Sequence, residues 1–208
     1  MLTTTSMQAC HSVSALSTLI TQSARAAALA AHSCSRYPAI MFFKRAMKPA
    51  APNTGTDVLR EVVQTEMRGA DQESARIVVA VAGLLASVAH ADRRYTAQEK
   101  AYMHDALQRL DGLTAEGADA VCAVIEKQGV VIGAHNPQAF TRELRDRTDV
   151  ELRREVLEVL VDLAAADGEL SLSETDLLRR TCSALGLEPQ DYLSAQERHR
   201  EKLSTLKK

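Results

Sequence analysis

The sequence predicts an all-α protein: one helical domain of about seven to eight helices containing an internally duplicated helix hairpin. Three observations carry that prediction. Aromatic residues make up 3% of the chain and Trp is absent, so the core must be aliphatic; Ala and Leu, which dominate it, are strong helix formers. Beyond residue 57, apolar residues recur at three- and four-residue spacing between Gly, Pro and cap-type punctuation. One short pattern also occurs twice. Ala91-Asp92-Arg93-Arg94-Tyr95-Thr96-Ala97-Gln98-Glu99 and Ala166-Asp167-Gly168-Glu169-Leu170-Ser171-Leu172-Ser173-Glu174 align with an offset of 75 residues, and the offset also superposes Leu85 on Leu160, Val88 on Leu163 and Met103 on Leu178.

The elements follow in order. Thr56 is the expected N-cap of a first helix from about Asp57 to Arg68, stopped by Gly69. A second helix, about Gln72 to Ala91, turns Ile77, Val81, Leu84, Leu85 and Val88 inward. A third begins after Thr96, buries Tyr102, Met103, Leu107 and Leu110, and ends at Asp111-Gly112. A fourth runs from about Ala115 to Gln128, with Thr114 before it and Gly129 after it; Val130-Val131-Ile132-Gly133 reads as a buried linker. Asn136-Pro137 opens a fifth helix, with proline at the first helical position. The sixth, about Val150 to Ala166, repeats the second through Val156, Val159, Leu160 and Leu163. The seventh follows Ser171 and buries Leu177, Leu178 and Leu185; the eighth opens at Pro189, carries Tyr192 and Leu193, and fades into a charged tail from Arg198 to Lys208. Neither hairpin can bury its stripe alone, so the two are expected to pack together with approximate two-fold symmetry, helices four and five covering the join.

The domain is expected over residues 56–205, preceded by a leader and linker over 1–55. The leader is rich in Ser, Thr and Ala and has no acid; Arg25, Arg36, Lys44, Arg45 and Lys48 give it a charge of +5. Taking these five from the 25 basic residues leaves 20 against 27 acidic, a net −7 for the rest. Three readings of residues 1–40 stay open: an over-extended start with Met41-Phe42-Phe43-Lys44-Arg45 as the true beginning, a targeting segment, or a flexible tail. An acidic body argues against nucleic-acid binding, which needs a cationic face. No stretch reads as a membrane span. Cys10, Cys34, Cys122 and Cys182 have no zinc-like spacing and read as reduced thiols of a cytoplasmic protein, the last two as small core residues.

The repeated acids are the candidate site. Thr96-x-x-Glu99 and Ser171-x-x-Glu174 are capping-box sequences, which explains the glutamates without any ligand. Asp92 and Asp167 follow the last turn of a helix, where the partial negative charge of the carboxyl end opposes them. Each therefore needs a compensating partner: a basic side chain, a turn N–H, or a cation. Four converging carboxylates, Asp92, Glu99, Asp167 and Glu174, would suit Ca²⁺ or Mg²⁺.

The two A-D-x-x-(Y/L)-(S/T)-x-x-E motifs, with Leu163-Ala164-Ala165-Ala166-Asp167-Gly168-Glu169-Leu170 and Ser183-Ala184-Leu185-Gly186-Leu187, resemble the TerB family of tellurite-resistance proteins from about residue 41 to residue 195. The resemblance implies a cytoplasmic, all-helical, internally duplicated domain that binds a metal through Asp92, Glu99, Asp167 and Glu174. It also implies work in a stress-response assembly at the inner face of the membrane, with an integral membrane protein and calcium-binding TerD-type proteins as partners. Related domains occur in membrane-anchored co-chaperones, so a metal-free helical adaptor is the alternative; this sequence lacks the His-Pro-Asp of a J domain. The first motif departs from the family by carrying Arg93-Arg94 where glycine is preferred. Arg93 would lose about 1 kcal/mol in the left-handed conformation, and two guanidinium groups beside Asp92 would compete with a cation. The first corner is therefore read as a salt-bridged relic and the second as the better ligand. His90 and His104 near the first corner read as a solvated helix surface. No G-x-S-x-G, P-loop, H-E-x-x-H or dinucleotide-binding pattern is present, and no enzyme is expected.

Overall fold

The computed structural model describes residues 55–134 and 137–199. Among these residues it contains eight helices and no strand: α1 (Gly55–Glu66), α2 (Gln72–Ala89), α3 (Ala97–Gln108), α4 (Ala115–Ala134), α5 (Pro137–Arg147), α6 (Val150–Ala164), α7 (Leu172–Ala184) and α8 (Pro189–Glu197).

Local chemistry sets most of the boundaries. Asp71 and Asp149 cap α2 and α6, their Oδ1 atoms accepting from Ser74 N and Leu152 N at 2.8 Å each. Thr114 Oγ1 accepts from Gly117 N at 3.0 Å before α4. The first helix starts one residue earlier than its expected cap: Thr56 lies inside α1, and its hydroxyl is buried without a partner rather than capping. The leader and linker expected over 1–55 lie outside the described residues except for Gly55, which is helical, and so does the end of the expected domain beyond 199.

The long central helix is α2. Small residues dominate its middle, and Gly83 makes room for the Phe140 ring of α5, which an added Cβ would strike. An ion pair from Arg147 to Glu73, at 2.6 Å, ties the far ends of the same two helices. By length and composition α2 could cross a membrane, contrary to the expectation that no stretch qualifies; 83% of it is buried in the bundle, which is how a core helix behaves. Ile77, Val81, Leu84, Leu85 and Val88 are all buried, and so are Val156, Val159, Leu160 and Leu163 of α6, which packs against α2. Each such aliphatic side chain contributes about 1.5–3 kcal/mol relative to exposure. On α8 Tyr192 is buried and Leu193 is exposed.

Helix α4 overturns the linker reading. It continues through Gly129 and Val130-Val131-Ile132-Gly133 to Ala134. Only Ile132 of the three apolar residues is buried; Val130 and Val131 face outward. Glycine stopped the sequence reading there, but in α4 glycine serves close packing. Gly129 leaves the space taken by the imidazole of His90, and Gly133 sits against the Ser87 backbone of α2. The covering helices also differ from expectation. α5 spans from α2 to α7, whereas α4 packs on α1, α2 and α3.

Candidate functional site

The turn after α2 and the turn after α6 have the same local construction. Asp92 Oδ1 accepts from Arg94 N at 2.7 Å, and Asp167 Oδ1 accepts from Glu169 N at 2.9 Å. Both aspartates therefore answer the unfavourable helix end with an Asx turn. The intervening residue is left-handed in both, Arg93 at φ +66° and Gly168 at φ +90°. The next helix opens with a complete capping box. Thr96 Oγ1 accepts from Glu99 N at 3.2 Å while Glu99 Oε2 accepts from Thr96 N at 2.7 Å; Ser171 and Glu174 repeat this at 3.2 and 2.7 Å.

Capping draws the two glutamates inward, to 2% and 4% exposure. Burial pushes the Glu99 carboxyl up, its bonds to Thr96 oppose the shift, and the charges of Asp167 and Asp92 add to it. Glu174 is pushed up to about 7 by burial, against its bonds to Ser171, with Asp92 and Glu99 adding to the rise. Each buried glutamate thus feels the aspartate of the other turn. Carboxylates of the two corners act on one another across the fold.

The residues that could hold a metal are these four. Each commits one oxygen to a backbone N–H and has its second oxygen without a hydrogen bond among the described residues. Hard oxygen donors of this kind match Ca²⁺ or Mg²⁺. Among the described residues, however, no three His, Cys, Asp or Glu side chains are grouped as a ready set of metal ligands.

Two acid-bearing turns of one construction, each on a helix hairpin, are what the family comparison covers. Residues 78–197 match the family described as tellurite resistance protein TerB. The chain belongs to the TerB family. No curated protein and no solved structure matches it. The TerB match runs from within α2 to the end of α8 and so contains both acidic corners; α1 precedes it, and Met41-Phe42-Phe43-Lys44-Arg45 lies outside both the match and the described residues.

Several side chains around the TerB corners depart from expectation. Among the described residues no ion pair joins Asp92 to Arg93 or Arg94, so the salt bridge expected at the first corner is not formed there. His90 is half-buried rather than on a solvated surface. It fills the notch at Gly129, its ring lies 4.9 Å from that of Tyr95, and its Nε2 is buried without a partner. Burial holds its pKa below the usual histidine value, opposed by the Ile125 carbonyl and by Asp92. His104 turns away from the corner, its Nε2 2.8 Å from Asp119 Oδ1 on α4. Cys122 and Cys182 are buried free thiols, as expected of core residues, and burial pushes Cys122 up to about 11. Cys10 and Cys34 lie outside the described residues.

Sequence reasoning missed one polar cluster. Asp162, within the apolar stripe of α6, is buried. Its Oδ1 lies 2.7 Å from His199 Nε2 and 3.4 Å from Arg198 Nη2, and its Oδ2 accepts from the Tyr102 hydroxyl at 3.3 Å. Arg198 also reaches Glu158 at 2.7 Å. Arg198 and His199, read as the start of a charged tail, reach back to the acids of α6. An acid between Val161 and Leu163 was the available signal, because a buried carboxylate needs partners.

Proposed function

We propose that this TerB-family chain is a stress-response module whose acidic corner takes up a divalent cation, Ca²⁺ or Mg²⁺, and signals occupancy to protein partners at the cytoplasmic face of a membrane. One observation supports the metal reading best: Glu99 and Glu174, from opposite hairpins, are both buried and both carry the repulsion of the opposite aspartate. A cation placed among them relieves that repulsion and holds the two hairpins together. The protein's part is to supply carboxylate oxygens from preformed turns; because no three stand ready as ligands, side-chain rotation and water must complete the shell. No catalytic step is assigned.

A second reading is favoured by the hydrogen bonds themselves. Every one of the four acids already has a structural task, in an Asx turn or a capping box. On that reading the chain is a metal-free helical adaptor, and the acidic face docks a membrane-associated complex directly. Calorimetric titration of Ca²⁺ and Mg²⁺ into chelator-treated protein separates the two. The metal reading expects a saturable heat that Asp167→Asn reduces; the adaptor reading expects no heat, together with capture of a membrane protein that chelator leaves unchanged.

A further inference from the structure

The end of α4 presents an apolar surface that no element covers among the described residues. From Gln128 to Ala134 the helix carries no charge. Val130 is 60% exposed and Val131 46%. Val124 lies on the same side of α4 as Gln128 and Val131 by helical spacing, and it is only partly buried, as is Val62 of α1. In α2 an apolar run is explained by the core on every side. At the periphery, where α4 packs only on α1, α2 and α3, the outward valines have no such explanation. The chain enters the domain at this place. Gly55, the first residue of α1, lies so close to α4 that an added Cβ would come within 2.9 Å of Ile132 Cγ1 and 3.0 Å of Gln128 Oε1. Gly117, near the start of α4, meets Glu66 at the end of α1, so the two helices run antiparallel.

Shortly before Gly55 the sequence reads Met41-Phe42-Phe43-Lys44-Arg45, an apolar triplet followed by two bases. The residues between Phe43 and Gly55 number 11, enough to reach about 36 Å when extended. Gln128 to Ala134 spans only about 9 Å of helix axis. We propose that the exposed end of α4 is the docking surface for the chain's own Met41–Arg45 segment, with Phe42 and Phe43 against Val130 and Val131. Charge supports this occupant. The segment is basic, the chain beyond it is acidic, and the last turn of α4 has no basic residue to meet its partial negative end. The other occupants fit less well. A second copy needs an interface of roughly 20–30 residues a side, far more than this surface offers. An anionic bilayer would face the acidic body rather than a cationic one. The inference is independent of the cation reading, since no corner acid belongs to the surface or to the segment.

The test is methyl NMR of the full chain, with circular dichroism to check the fold of each variant. The chain has only three phenylalanines and the third, Phe140, is buried against Gly83, so ring contacts of the other two are readily assigned. Nuclear Overhauser contacts are expected from the Phe42 or Phe43 ring to the Val130 or Val131 methyls in dilute, vesicle-free protein. Phe42→Ser with Phe43→Ser should abolish them and shift those methyls, leaving Leu59 and Ile77 in the core unmoved. Val130→Ser with Val131→Ser, on exposed residues, should speed tryptic cleavage after Lys44 and Arg45 roughly tenfold, as for release of a docked segment. The proposal is overturned if the ring contacts are absent, or if the cleavage rate of the valine variant equals that of wild type. It is equally overturned if the Val130 and Val131 methyls are covered only at high protein concentration, which would make the occupant a second copy. Cover that appears only with phosphatidylcholine–phosphatidylglycerol vesicles would overturn it in favour of a membrane.

Discussion

At the first acidic corner the residue after the aspartate is Arg93, at φ +66°; at the second it is Gly168, at φ +90°. Around them the backbone bonds are nearly interchangeable: the same Asx turn, the same box, the same 3.2 and 2.7 Å distances. The carboxylates, however, are not equivalent. Glu174 is pushed up to about 7, whereas Glu99, whose Oε2 also accepts from the Thr96 hydroxyl at 2.9 Å, is raised with no value that large. The Ser171 side chain opposes the rise of Glu174 in the same way, so burial, the first cause at both corners, is what leaves the two glutamates raised. The comparison teaches that caps and turns fix a carboxylate's place, while its protonation depends on burial and on the acids of the opposite corner.

The largest effects should come from breaking the packing that holds the corners in place. Leu85→Ala and Leu160→Ala remove matched side chains that are each 1% exposed or less. Each is expected to cost about 2–5 kcal/mol in urea denaturation. Similar costs would mean that the two hairpins carry equal shares of the core; a gap above about 2 kcal/mol would show one hairpin to be the folding scaffold for the other.

The next effect distinguishes the two glutamates. A carboxyl raised in the folded state penalises folding at pH values where it must ionise. The penalty is absent below the unfolded value near 4.5, grows as pH rises toward 7, and is constant above. Glu174→Gln keeps a capping box and removes the ionisation. In chelator-treated buffer at pH 8 it should stabilise the chain by about 1–3 kcal/mol, with the gain vanishing near pH 4. Glu99→Gln should give less. Glu155 on α6 is also pushed up to about 7, by burial first, so the wild-type slope has a second source. The difference between Glu174→Gln and wild type isolates the corner. A Glu99→Gln gain equal to or above that of Glu174→Gln would break the asymmetry.

A third comparison uses charge without shape. Asparagine still accepts the turn N–H that Asp92 and Asp167 accept. Asp92→Asn and Asp167→Asn should each weaken any Ca²⁺-dependent rise in melting temperature by about tenfold in apparent affinity, close to 1.4 kcal/mol. Equal losses would mean a shared site. Loss at Asp167 alone would confine the ion to the second corner.

Much of the fold was legible because it rests on local rules. The caps at Thr96 and Ser171 and the stripes of α2 and α6 have direct signatures in the sequence. Glycine was where reading failed. Gly129 and Gly133 look like a helix stop, and only the approach of His90 and Ser87 explains them inside α4. Of the site, the Asx turns and boxes were legible as possibilities. Their crosswise electrostatics depend on how the two hairpins pack, α6 against α2 and α3, which no local pattern specifies. The bond from His199 to Asp162 joins residues 37 apart and has no local pattern at all.

The smallest effect tests the strain at the corner itself. Glycine takes positive φ without steric cost, whereas a side chain there costs about 1 kcal/mol. Arg93 is exposed and has no ion pair among the described residues, so little packing offsets that cost. Arg93→Gly should therefore raise stability, but by less than the full 1 kcal/mol, because glycine also gains freedom in the unfolded chain. Gly168→Arg should lower stability by a similar net amount, since losing glycine's freedom in the unfolded chain offsets part of the strain, and nothing lies within 4 Å of the added Cβ to add a clash. Midpoints in urea at an unchanged slope would measure both. If Arg93→Gly destabilises the chain, the guanidinium makes a contribution that its local geometry does not reveal, and the first corner is a differently tuned version of the second rather than a strained one.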